Sequence, residues 1–213
     1  MAKRPLRPLQ IQGRMIARSF WGKRWCAHLE SFSDFANRLP RGRTYARHGS
    51  IWQLDIDEGR IEAQVKGSRP RPYRVTIRVK PLPAATWKAI RRACSGQIGS
   101  ILELLRGSFS DQVMVAVSDP DRGLFPQPRE IELGCSCPDW ATMCKHVAAV
   151  LYGMGNRLDD SPELLFRLRG VDPAELISAE AVLPEGAATA GAATLAEDQL
   201  GDIFGIDLDA EVK

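Results

Sequence analysis

Twelve residues constrain this chain more than any others: Cys135-Ser136-Cys137-Pro138-Asp139-Trp140-Ala141-Thr142-Met143-Cys144-Lys145-His146. They hold three of its five cysteines and one of its three histidines in the order C-x-C-x6-C-x-H. Three thiolates and one imidazole satisfy a tetrahedral zinc ion without a water ligand. Residues two apart on an extended segment point to the same side, so Cys135 and Cys137 share a strand face. Two residues along a helix amount to about 200° of rotation, so Cys144 must sit at or before a helix start and His146 in its first turn. Val147, Val150, Leu151, Met154 and Leu158 then recur at helical steps. The stretch reads as strand, knuckle, helix. A C-x-C redox couple and a Cys/His nucleophile with its base are the alternatives, and neither uses all four donors. A closed four-donor site is structural, not catalytic.

The same residues carry a resemblance. The C-x-C-x-n-C-x-H order, Pro-Asp-Trp after the second cysteine and Lys145 between the last two ligands resemble the SWIM zinc finger. Leu39–Arg47, Gly67–Tyr73 and Leu165–Gly170 look like segments of bacterial stand-alone SWIM proteins. The resemblance implies Cys135, Cys137, Cys144 and His146 as ligands of one structural Zn2+. It also implies DNA or protein binding, and association with a SWI/SNF-type helicase-like ATPase.

Length bounds the rest: 213 residues with 44% hydrophobic content suffice for one or two domains with a core. The basic start lacks an apolar run, no stretch reaches the length of a membrane span, and the cysteine number is odd, so a cytoplasmic, reducing location is expected. Cys26 and Cys94 read as free thiols filling a core. Net charge is only +3 but unevenly spread. Residues 1–92 hold 21 Lys and Arg against 6 Asp and Glu, whereas residues 171–213 hold 1 against 10. That asymmetry suggests a polyanion-binding front half, DNA favoured, and a tail able to shield it.

Four regions are expected: a mobile basic arm (1–18), a basic α+β domain (19–128), the zinc finger with covering helices (129–183), and a linker with an acidic, apolar tail (184–213). Phe20 to Leu39 reads as one helix stopped by Pro40, with Trp21 and Trp25 facing the core and His28 no ligand. Thr44 to Arg47 reads as a first strand. Trp52, Leu54 and Ile56, then Ile61, Ala63 and Val65, then Tyr73, Val75, Ile77 and Val79 alternate with polar residues as an antiparallel meander. The outward face of its last strand carries Arg74, Arg78 and Lys80. Arg69 and Arg71 project from a proline-stiffened lead-in, and Arg41 and Arg43 from a second basic turn; with Lys145 these are the candidate phosphate contacts. Short helices follow over Thr86–Arg92 and Ile98–Leu105, Val113–Val117 is ambiguous, and Glu130–Leu133 is the strand leading to the knuckle. The acidic residues near Asp119 show no nuclease grouping. Ser161-Pro162-Glu163 and an Asp172/Glu175 capping box begin covering helices, and Trp140 is expected to pack with them. Leu195, Leu200, Ile203, Phe204, Ile206 and Leu208 among aspartates make the tail a docking peptide or an intramolecular cover. The whole reads as an α+β, non-enzymatic accessory protein; the alternative is a protein–protein adapter with no direct nucleic-acid contact.

Overall fold

In the computed structural model, which describes residues 8–32 and 38–177, four strands form one antiparallel sheet in chain order: β1 (Ile51–Asp57), β2 (Arg60–Val65), β3 (Tyr73–Val79) and β4 (Ile131–Cys135). In β2 and β3 the alternation holds throughout, with Ile61, Ala63, Val65, Tyr73, Val75, Ile77 and Val79 buried on one face. β1 departs from it. Ile51 pairs with Val65 but Gln53 with Gln64, so Trp52 is an extra residue in a bulge. The slip turns both Ile51 and Leu54 into the core and leaves Trp52 half-buried under the Lys66 ammonium, 5.5 Å from its ring.

The sheet's apolar face rests on α6 (Lys145–Asp160), which contacts all four strands. This helix is buried from His146 through Gly155, not on one stripe only, because α1 (Phe20–Glu30) and α2 (Leu39–Arg47) cover its other side. Small residues allow that approach. A Cβ on Gly42 of α2 would lie 2.4 Å from the Ala148 Cβ, and one on Gly22 of α1 would lie 2.5 Å from the Gly155 carbonyl oxygen. Trp25 donates its indole N–H to the Leu151 carbonyl at 2.8 Å, and Trp21 donates to Leu104 at 3.1 Å. Both indoles are core, as their helical register implies.

The remaining helices are α3 (Ala84–Cys94), α4 (Ile101–Arg106), α5 (Asp111–Ser118) and α7 (Glu163–Arg169). Ser100 and Ser110 cap α4 and α5 by accepting from Glu103 and Val113 N–H, which decides the ambiguous apolar run as helix. No side chain caps α7. Asp172 accepts from the Ala174 N–H, but the turn it starts is 3-10 (Pro173–Leu176), and Glu175 accepts from the Trp87 indole of α3 instead of closing a capping box.

Other expectations are corrected. The first helix ends at Glu30, and Pro40 opens α2 instead of stopping α1. At the first helical turn its missing N–H would have had no partner anyway. Thr44–Arg47 is therefore the last turn of α2, not a strand, and Arg41 and Arg43 lie on a helix, not in a turn. Residues 8–18 are no free arm: Leu9, Ile11, Ile16 and Ala17 are buried, and the Leu9 N–H donates to the Ile51 carbonyl at 2.9 Å. No boundary falls at 128/129. β4 pairs along β3 from Val79–Ile131 to Val75–Cys135, and the described residues lie in one compact unit. Residues 1–7, 33–37 and the tail from 178 lie outside the described residues.

Candidate metal centre

β4 delivers Cys135 at its last residue, the chain turns through Cys137, and Cys144 is the N-cap of α6 with extended backbone (φ −87°, ψ 169°). His146 follows in the first turn. The four ligand atoms all lie within 4.8 Å of one another. His146 Nδ1 is 3.9 Å from Cys135 Sγ and 3.8 Å from Cys144 Sγ. Bonds of about 2.3 Å to sulfur and about 2.0–2.1 Å to nitrogen at tetrahedral angles put such atoms about 3.5–3.6 Å apart. The two imidazole–sulfur distances need to contract by only a few tenths of an ångström around the ion, and the widest pair by about 1 Å. The set therefore fits zinc, and the finger holds one structural zinc through Cys135, Cys137, Cys144 and His146.

The sulfurs' own chemistry agrees. The hydrogen bond from the Cys135 thiol holds Cys144 well below the usual thiol range, and the same bond, then burial, raises Cys135. A cation bound between them takes the place of that proton. By contrast, burial pushes Cys26 up to about 12 and Cys94 up to about 11, which leaves both as inert core thiols.

His146 is held by aromatic packing. Tyr73 packs on its ring at 4.5 Å between centroids, tilted by 35°, and Tyr45 meets it edge-on at 5.5 Å. Its Nε2 is buried with no hydrogen-bond partner among the described residues. The acceptor that ordinarily orients a metal-bound histidine is replaced by two tyrosine rings. Gly67 closes the back of the site, where a Cβ would lie 2.3 Å from Tyr73 Cε2 and 3.0 Å from His146 Nε2.

A comparison with protein families matches the SWIM zinc finger model to residues 115–152, from the second half of α5 through β4 and the knuckle to the middle of α6. The uncharacterized protein Rv2102 of Mycobacterium tuberculosis is 35% identical over 196 residues, covering 87% of this chain and 70% of that protein. The chain belongs to the same family as that protein, and its residues 115–152 carry a SWIM zinc finger. No solved structure gives a significant match. The SWIM finger is thus built into a larger α+β unit: its strand is the fourth of the sheet, and its helix is the core helix.

The candidate phosphate contacts do not form one patch. Arg74 stays at the metal end, where its N–H donates to Ser136 Oγ and its carbonyl accepts from the Ser136 N–H. Arg69 and Arg71 are exposed on a loop whose two ends, Gly67 and Tyr73, both pack on His146. Lys145, between two ligands, places its ammonium 5.0 Å from the Tyr45 ring centre. Arg41 is exposed on α2, three residues beyond Arg38, which pairs with Asp139 of the SWIM knuckle at 3.5 Å. Arg43 is spent elsewhere, bound to Glu30 and lying over Tyr152. Arg78 faces Glu132 across the strands at 3.8 Å, and Lys80 is five residues past Val75, roughly 16 Å along the strand from the Cys135 pairing.

The polar sheet face is also not basic. Arg60 and Arg78 on it pair with Glu62 and Glu132, Asp55 lies opposite Glu62, and Arg74 lies opposite Gln64. Alternation along β3 was visible in the sequence, but the cross-strand neighbours were not. Sequence reasoning also passed over Arg38, Lys66, Gly67, Tyr45 and Tyr73, which only the fold brings to the finger. Trp140 does not pack on the covering helices: it is 94% exposed.

Proposed function

We propose that this protein is a non-enzymatic accessory factor that binds nucleic acid, DNA foremost, through a cationic collar around its zinc finger. One observation carries the reading. Segments 38–45, 66–74 and 136–145 converge on the four ligands, and together hold Arg38, Arg41, Lys66, Arg69, Arg71, Arg74 and Lys145 against one carboxylate, Asp139, with Arg43 taken up by Glu30. Cations at fixed spacing neutralise phosphates and release their counterions. The zinc ties the end of β4, the knuckle and the start of α6 together, and so fixes where Arg74, Lys145 and the Arg69/Arg71 loop stand. Four protein donors leave the ion no open position, which supports a structural role and a protein that is not an enzyme. Phosphate contacts of this kind position a protein without reading bases.

The SWIM resemblance supports a second role, presenting DNA to a helicase-like ATPase in the cytoplasm, with the acidic tail (184–213) as the docking peptide. The adapter reading, in which the finger contacts only protein, is favoured by the exposed Trp140, since tryptophan is enriched at interface hot spots. Binding of the zinc-loaded full-length chain to labelled DNA across a salt series separates the two. Steep salt dependence is expected, and replacing Arg69, Arg71, Arg74 and Lys145 by Ala lowers the log–log slope by about 0.9 per lost phosphate contact while zinc is retained. If the wild-type protein does not bind at moderate salt, the adapter reading takes its place.

A further inference from the structure

Trp140 has the geometry of a presented ring. It stands in the knuckle three residues after Cys137 and four before Cys144, so both flanks are tied to the metal. The residue before it is held twice: Asp139 pairs with Arg38 at 3.5 Å and its Oδ1 accepts from the Ala141 N–H at 3.2 Å. An indole that is 94% exposed on a loop pinned at four points is a rigid apolar plate in water. The other large apolar side chains exposed among the described residues, Met15, Ile101, Leu102 and Val115, lie on other segments with no such scaffold.

Its surroundings say what the plate is for. Arg38 and Lys145 flank the knuckle, and the Arg74 backbone is bonded to Ser136 at its start. A duplex buries its base faces in the stack and offers phosphates and groove edges but no free face. An unpaired strand offers phosphates and free base faces together, and aromatic side chains in positively charged grooves bind such strands by stacking. We propose that the finger binds single-stranded nucleic acid in preference to duplex, with an unpaired base stacked on Trp140 while Arg74, Lys145 and the Arg69/Arg71 loop hold the neighbouring phosphates. This rests on the nucleic-acid reading above and adds the strand state and the residue that selects it.

The test uses the zinc-loaded full-length protein, a labelled oligo-dT and a blunt duplex of equal length, with Trp140→Ala, Trp140→Phe and the Arg69/Arg71/Arg74/Lys145→Ala variant. Trp140→Ala weakens oligo-dT binding by roughly tenfold, leaves duplex binding unchanged and keeps zinc stoichiometry and melting temperature at wild-type values. Trp140→Phe restores part of the loss. If the wild-type protein binds DNA through the collar but Trp140→Ala binds oligo-dT as tightly, or loses both forms equally, the stacking assignment is wrong while the nucleic-acid reading survives. If the wild-type protein binds neither form, both are overturned, and Trp140 is left as a protein contact.

Discussion

Replacing Gly67 by alanine probes how the metal site is held. The glycine lies against the face of the site opposite the ion, and the added methyl would sit 2.3 Å from Tyr73 Cε2, 2.8 Å from Tyr73 Cδ2 and 3.0 Å from His146 Nε2. Gly67 is not among the glycines with positive φ, so alanine fits its backbone and the collision is the whole effect. Tyr73 is buried, and its ring is confined between Gly67 and the imidazole, so relief must come from moving the ring or His146. Overpacking of this kind costs about 1–3 kcal/mol. Part of that strain falls on His146, so it weakens zinc binding by up to the same amount, at most on the order of 5- to 150-fold, and the rest lowers stability. Competition with a chromogenic chelator measures this directly. Gly67→Ala with Tyr73→Leu, which removes the clashing ring edge, recovers part of the affinity, a coupling that independent sites would not show. Wild-type zinc affinity and melting temperature in Gly67→Ala would refute the packing argument.

Three further outcomes follow from the same geometry. Cys144→Ser loses stoichiometric zinc by elemental analysis and lowers the melting temperature, although serine is the better helix cap, so a lost cap cannot explain the result. Glu130→Gln strands Arg169, which is 1% exposed and donates to both Glu130 oxygens at 3.2 and 3.3 Å; the urea midpoint falls by the equivalent of about 3–5 kcal/mol with m unchanged. Burial, then Glu30, raises Cys26 from 9.0 to about 12, so the folded state holds that proton where the unfolded chain releases it. Its contribution is complete below pH 9.0 and is lost as pH rises towards about 12, so stability falls over that window and Cys26→Ala flattens the fall.

The metal site was legible because ligand chemistry is local: the donors lie within twelve residues, and a two-residue step fixes which can share a strand and which must sit at a helix start. β2 and β3 were legible for the same reason, each alternating without interruption. β1 was only partly so, because the bulge at Trp52 depends on its pairing with β2. Pro40 misled because apolar spacing continues through residue 39, and proline is equally at home just past one helix and at the start of the next. Gly42, read as a turn, is there for the Ala148 contact across a helix crossing. The candidate cationic surface shows the deepest difference. Arg74 and Arg78 lie on one strand face, yet Glu132 of β4 meets Arg78 while Arg74 bonds the finger through its backbone, and a charge tally along the chain cannot hold that distinction.

The closed, structural character of the zinc site underlies the folding role of the metal, the fixed collar and the absence of catalysis in the proposed function. Zinc-edge X-ray absorption on the full-length protein measures it most directly. The account predicts one zinc per chain with three sulfur neighbours at about 2.3 Å and one nitrogen at about 2.0–2.1 Å. An oxygen neighbour in place of one of these four would mean an open coordination position, and would contradict both the ligand set and the non-enzymatic reading.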